Sequence, residues 1–257
     1  MPGLTVKVGG VRLWRLSDRQ LSVLTYPAFD REGAVRRLVE LSLLGVDELA
    51  FEGRVELWGL RVVAKGTVGI VVKGRRMGVD VAVKVRRLDA NRPSLLGEAE
   101  KLRLANKVGV GPRLLAASRN FLVWKYVEGV PLEDWGLKAS EGELRAAVGE
   151  LIRQALALDR ISLVHQELSR LGDHVLVTPE LGVVIFDFET ASLLSGRSNV
   201  TQVIQGLMLR NTAFAERVRE VFGVSKEEVL RIVRDYKMAR RPEALEPLLD
   251  DRLAGNL

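Results

Sequence analysis

His165-Gln166-Glu167-Leu168-Ser169-Arg170-Leu171-Gly172-Asp173-His174-Val175-Leu176-Val177 is the stretch on which the fold turns. It reads as a polar loop that leaves an amphipathic helix and enters a β-strand, and it holds both histidines of the chain. A second apolar strand, residues 183–186, then ends on Asp187, followed by Phe188 and Glu189. A carboxylate at a strand end beside a polar loop is well placed to hold a hard cation. The separation of His165 from His174 is not a zinc spacing. With no cysteine and no helical His-x-x-x-His, a zinc site is set aside.

Working outward, Ser140 and Glu143 have capping-box spacing, and Leu144, Val148, Leu151, Ala155 and Leu158 lay one apolar stripe down a long helix. Downstream, residues 199–223 and 225–240 read as helices, the second opened by another capping box, Ser225 with Glu228, and a short tail follows. The first half of the chain differs. Residues 51–88 alternate Val-rich segments with Gly53, Gly59, Gly66, Gly69, Gly74 and Gly78, the pattern of antiparallel strands and hairpins. Ser94 can cap a helix to Lys107 that Gly109, Gly111 and Pro112 end, and strands follow at 114–117 and 121–127. Before all of this, Ala34, Leu38, Leu41 and Leu44 mark a helix over 30–44 that Gly45 can close. A β-rich half thus precedes an α-rich half, which predicts an α+β, two-lobed order. Residues 1–56 form an extension capping the first lobe, 57–127 that lobe and its hinge, and 128–257 a reduced helical lobe.

Two features of the β-rich half carry chemistry. Residues 64–71, Ala-Lys-Gly-Thr-Val-Gly-Ile-Val, place Gly66 and Gly69 between two strands, where backbone amides can approach phosphate oxygens; the same pair also suits a plain hairpin turn. In Val81-Ala82-Val83-Lys84 the strand period puts Ala82 and Lys84 on one face and Val81, Val83 and Val85 on the other. A lysine set among valines is costly to bury unless it meets anions. Glu98, in the helix after Ser94, can pair with it; Glu100 is the competitor, pointing a different way.

Length suits one domain or one two-lobed domain, and 257 residues without a cysteine exclude a disulfide framework and a thiolate site. No signal-peptide layout opens the chain and no apolar run approaches a spanning helix, so the cytoplasm is the expected location and a membrane partner is not expected. The net charge is +6, spread along the chain, which suits an anion-binding cleft with an Arg-rich surface; an RNA or ribonucleoprotein partner is the other reading. Arginine outnumbers lysine 29 to 10 and there are only 6 Asn and 5 Gln, as expected of a heat-adapted protein.

The order of these parts (glycine turn, Val-Ala-Val-Lys, helix glutamate, hydrophobic hinge at 123–127, His-x-Glu loop, Asp-Phe-Glu) resembles a protein kinase over roughly residues 57–190. It is most similar to the minimal archaeal kinases of the RIO type and the small kinase of the tRNA-modification complex. More narrowly, it resembles predicted archaeal serine/threonine kinases with a His-x-Glu-Leu-Ser-Arg loop. There is no Ala-Pro-Glu and only about seventy residues follow Asp187, so the long activation segment is missing; aminoglycoside and choline kinases share this economy.

The resemblance implies that Gly66 and Gly69 cover the phosphates of ATP and that Val71 and Ala82 roof the adenine. Lys84, paired with Glu98, would contact the α/β-phosphates, and the backbone of Lys125 to Val127 the adenine edge. Asp187 would hold Mg²⁺ or Mn²⁺, Glu167 would take the catalytic-base position, and Arg170 would serve the γ-phosphate. Three positions depart from the pattern. Ala64 stands where a first glycine is usual, Glu167 replaces an aspartate, and the second metal ligand falls at Gly172, which cannot ligate, leaving Asp173 or His174 for that role. The expected activity is an ATP- and Mg²⁺-dependent kinase acting on a protein hydroxyl or on itself. The alternatives are a nucleotide-binding pseudokinase or ATPase switch in a protein or ribonucleoprotein complex, and a small-molecule kinase.

Overall fold

The computed structural model describes residues 9–193, 195–239 and 242–248. The chain is α+β with mostly antiparallel sheet, and it divides into two compact units. One takes the chain up to Glu100 together with Arg113–Val127; the other takes Lys101–Pro112 and everything from Glu128 on, so the division falls inside one helix.

The first unit runs β1 (Val11–Arg12), α1 (Asp18–Leu21), α2 (Arg31–Leu43), β2 (Val46–Ala50), β3 (Val55–Leu57), β4 (Leu60–Val62), β5 (Ala64–Lys65), β6 (Gly69–Arg76) and β7 (Val79–Arg86). The helix α3 (Leu96–Lys107) and strands β8 (Leu114–Ala117) and β9 (Phe121–Lys125) follow. The main sheet has the order β1-β2-β6-β7-β9-β8, with β5 on β6, while β3 and β4 form a separate hairpin. β6 and β7 turn on Met77-Gly78, both at positive φ (49° and 80°), the two-residue geometry that suits the right-handed twist of a hairpin. Strand periodicity then divides the sheet. Ile70, Val72, Val81, Val83, Val85, Phe121 and Val123 enter one buried cluster with Ala34, Leu38 and Leu41 of α2. Val71, Ala82 and Lys84 fall on the other face.

The opening segment, expected to hold a helix plus a strand, holds α1 and β1 besides α2 and β2. α1 is opened by a Ser17/Gln20 capping box, and β2 pairs with β6, Leu49 opposite Gly74. A Cβ on Gly74 would lie 2.7 Å from the Glu48 carbonyl oxygen, so this strand contact depends on glycine. Ser94 does not occupy the cap of α3, which starts at Leu96; its hydroxyl accepts from the Leu96 amide at 3.1 Å one residue earlier than a cap would.

The second unit begins with the end of α3. Gly109, at φ 76°, donates to the Asn106 carbonyl and Val110 to that of Ala105, the two bonds of a Schellman stop. Next come β10 (Val130–Pro131), α4 (Leu132–Gly136), α5 (Glu141–Arg160), α6 (Leu171–His174), β11 (Val175–Val177), β12 (Val183–Ile185), α7 (Asn199–Ile204), α8 (Ala213–Phe222) and α9 (Lys226–Ala239). Ser140 and Glu143 form the expected capping box on α5, and the whole stripe from Leu144 to Leu158 is buried. Strands β10, β11 and β12 make a small antiparallel sheet.

Residues 199–223 are not one helix. α7 passes into a π-helical turn, Gln205–Leu209, and breaks at 210–212, where the Thr212 hydroxyl caps α8 by accepting from Ala215 at 3.2 Å. Gly206, within the π-helical turn, sits close against the loop: a Cβ there would be 2.7 Å from the Ser169 carbonyl oxygen. The tail carries a 3-10 run, Pro242–Leu248; the residues after it, and the first eight of the chain, lie outside the described residues. Among the described residues, no helix is long and apolar enough to cross a membrane.

Candidate functional site

In the first unit, Lys84 sits mid-strand on β7 and Glu98 in the first turn of α3. The Lys84 Nζ lies 2.9 and 2.8 Å from the two Glu98 carboxylate oxygens, and each residue is only 8% exposed. Glu100 is exposed, so burial selects Glu98 over its competitor. A paired charge taken out of water this completely is a weak source of stability, because desolvation offsets most of the attraction. Gly69 makes the approach of Lys84 achievable: a Cβ would fall 2.8 Å from Lys84 Cγ and 3.1 Å from the Val85 carbonyl oxygen.

The Gly66–Gly69 segment closes as a hairpin turn. The Gly66 amide donates to the Gly69 carbonyl at 2.8 Å, and Arg87 Nη1 donates to the Gly66 carbonyl at 2.8 Å. Its first amide is therefore spent within the turn and is not free to meet an anion. Val71 lies opposite Lys84 in the β6–β7 register, and Ala82 opposite Trp124 on β9. Lys125 is exposed and Val127 half-buried; the Lys125 amide donates to Arg113 and that of Tyr126 to Asp80.

The second unit holds the loop from His165. It is not a solvated polar loop, because His165, Leu168, Leu171 and His174 are all buried and residues 171–174 form α6. His165 is clamped from two sides. Its amide donates to Asn199 Oδ1 at 2.8 Å, and its Nε2 lies 2.7 Å from the Phe186 carbonyl. Burial lowers its pKa to about 4, so the ring is neutral at pH 7. A carbonyl can only accept, so Nε2 carries the proton, and Nδ1 is left buried without a partner. The bond fixes the backbone one residue before Asp187, itself held at φ 66°, an unusual conformation for a residue other than glycine. The His174 ring stands edge-on to His165 at 5.0 Å, and burial lowers its pKa too.

Glu167 is half-buried, and each of its oxygens has a partner: Arg170 Nη2 donates to Oε1, and the Thr190 hydroxyl donates to Oε2 at 3.2 Å. Asp187 is exposed at the end of the strand, and Glu189, two residues on, presents a carboxylate oxygen within 4.8 Å of one of its own. Two hard oxygen donors at this separation suit Mg²⁺ or Mn²⁺. Lys101 donates to the Glu189 carbonyl at 2.9 Å and steadies that turn. Asp173 is exposed on α6, and the His174 ring is turned inward against His165. Glu189 is therefore the carboxylate brought to Asp187 within this unit. Gly172 donates its amide to Glu133 Oε1 at 3.2 Å.

Thr190 and Glu189 had no assigned role in the sequence reading, although Asp-x-Glu spacing on a tight turn was a usable signal for the second. Asn199 was also missed. It ties Asp159 at the end of α5 to the Leu163 carbonyl and the His165 amide. No protein-family model matches the chain, and no curated protein matches it.

Proposed function

We propose that the chain is an ATP- and Mg²⁺-dependent phosphotransferase of the protein-kinase-like, RIO-like type, with a two-lobed arrangement of its β-rich and helical units and a protein or self hydroxyl as acceptor. The observation that carries the reading is the buried Lys84–Glu98 pair beneath Gly69. A lysine so placed offers donors to phosphate oxygens, and the glutamate keeps it charged and oriented. Asp187 with Glu189 would hold the divalent cation, which when bound neutralises developing charge on the phosphates.

Glu167 is the group that accepts the proton of the attacking hydroxyl; its Oε2 accepting from the Thr190 hydroxyl, a contact of the same kind, supports that reading. Arg170, held on Glu167, supplies positive charge for the transferred phosphoryl. As the hydroxyl oxygen bonds to the γ-phosphorus, the bond to the β-phosphate oxygen breaks and ADP leaves. A catalytically silent nucleotide switch is the second reading, favoured by a Glu167 carboxylate with both oxygens already engaged. Incubation with γ-labelled ATP and Mg²⁺ or Mn²⁺ at elevated temperature separates the two. Self-labelling or phosphate release that is lost in Lys84→Ala, Glu167→Gln and Asp187→Asn supports a working kinase. A melting shift without turnover supports the switch, and no shift at all sinks both.

A further inference from the structure

The second unit contains a cleft of about 570 Å³ between α7, the π-helical turn, the start of α8 and α9. That volume lies in the range of small-molecule sites. Its polar lining is one-sided. Arg210 and Lys237 contribute two cations, Gln205 and Asn211 two amides, and among the described residues no Asp or Glu lines it. Lys237 has no ion pair or hydrogen bond among the described residues. Arg210 uses only Nη1, at 3.7 Å from Glu133 Oε1 and 3.5 Å from the Ser169 carbonyl, and so keeps Nε and Nη2 as donors. Lys226 Nζ occupies the Asn211 Oδ1 at 2.5 Å, leaving that amide its NH₂ group to offer. The cleft thus gathers donors and lacks acceptors of full charge.

Two hydroxyl residues, Thr201 and Thr212, and an apolar patch of Leu209, Leu230 and Val233 complete the lining, and Leu230 is 50% exposed. A leucine half in water beside two cations that still have donors to offer is what an amphiphilic anion would cover. The backbone points to the same place, since the π-helical turn that supplies Gln205 and Leu209 is an irregularity frequent at functional sites.

We infer that this cleft binds a small molecule carrying a phosphate or carboxylate on an apolar body, with Arg210 and Lys237 holding the anion and Leu230 and Val233 the body. The inference does not depend on the phosphotransferase reading. It is tested on the full chain by calorimetric titration with phenyl phosphate, inorganic phosphate and benzyl alcohol. Saturable binding of phenyl phosphate is expected, tighter than inorganic phosphate and with no binding of benzyl alcohol. Lys237→Glu weakens it about 10-fold or more, Lys237→Gln less, and Leu230→Ala narrows the gap between the two phosphates. Lys237 is exposed on the last turn of α9, so these variants retain the fold, which circular dichroism checks. Phenyl phosphate binding that Lys237→Glu leaves unchanged would place the anion elsewhere and overturn the assignment, as would the absence of saturable binding to the wild-type chain.

Discussion

At Lys84 the demands of function and of stability pull apart, and substitution can separate them. Lys84→Met removes the lysine that both oxygens of the buried Glu98 carboxylate meet, and a broken buried pair costs about 3–5 kcal/mol. Replacing both partners, Lys84→Met with Glu98→Leu, removes the buried charge altogether and is expected to recover most of that loss. Neither protein should bind ATP. Denaturant melts alongside a nucleotide titration measure both quantities; ATP binding by the stabilised double variant would remove the lysine from the site. Gly69→Ala is the companion experiment. Its methyl group has no room beside Lys84 Cγ and the Val85 carbonyl, so it displaces the lysine that Gly69 now accommodates. The expected result is weaker ATP binding with a stability loss of about 1–3 kcal/mol, the usual cost of overpacking. Unchanged nucleotide affinity in Gly69→Ala would show that the close approach serves only the hairpin.

Elements were legible in the sequence where a local signal sets them. The capping boxes at Ser140/Glu143 and Ser225/Glu228 and the glycine stop at Gly109 need only nearby residues, and all three are formed. The alternation around Lys84 likewise assigned the sheet faces. What stayed hidden depends on distant partners. Gly206 of the π-helical turn seats on the Ser169 carbonyl, some forty residues away in sequence, and the run from Asn199 shows no break of its own. His174 was, with Asp173, a candidate for the second metal ligand from its place in the loop; its packing against His165 depends on the fold. Asn199 is the clearest case of a hidden tertiary clamp, joining the end of α5 to the His165 loop through Asp159, Leu163 and the His165 amide. Asn199→Ala strands those buried groups and is expected to cost about 2–4 kcal/mol, in line with about 1–3 for each unsatisfied donor or acceptor. Hydrogen exchange should report the loss first at residues 163–165. Protection there equal to wild type would mean the loop is held by other contacts.

On the scale of the whole molecule, the buried histidines make stability depend on pH in a known direction. An unfolded histidine titrates near about 6.5, whereas burial lowers His165 to about 4 and His174 in the same sense. Between those values the unfolded chain binds protons that the folded chain refuses, so stability falls as pH drops through this window. Below about pH 4 both states carry the His165 proton and its contribution levels off. The His165 share is on the order of 3 kcal/mol across the window. Carboxylates held low by their partners, such as Glu143 by Ser140, add their losses only nearer the acid end. The histidine signature is therefore a decline that begins above pH 5. His174→Phe keeps an aromatic ring against His165 and removes two buried ring nitrogens that have no hydrogen-bond partner. It should match or exceed wild-type stability at pH 7.5 and lose less on acidification. Denaturant midpoints at pH 7.5, 6 and 5 decide it: a wild-type midpoint flat across that range would mean these rings are not held neutral by burial, and an equally steep decline in His174→Phe would assign the whole effect to His165.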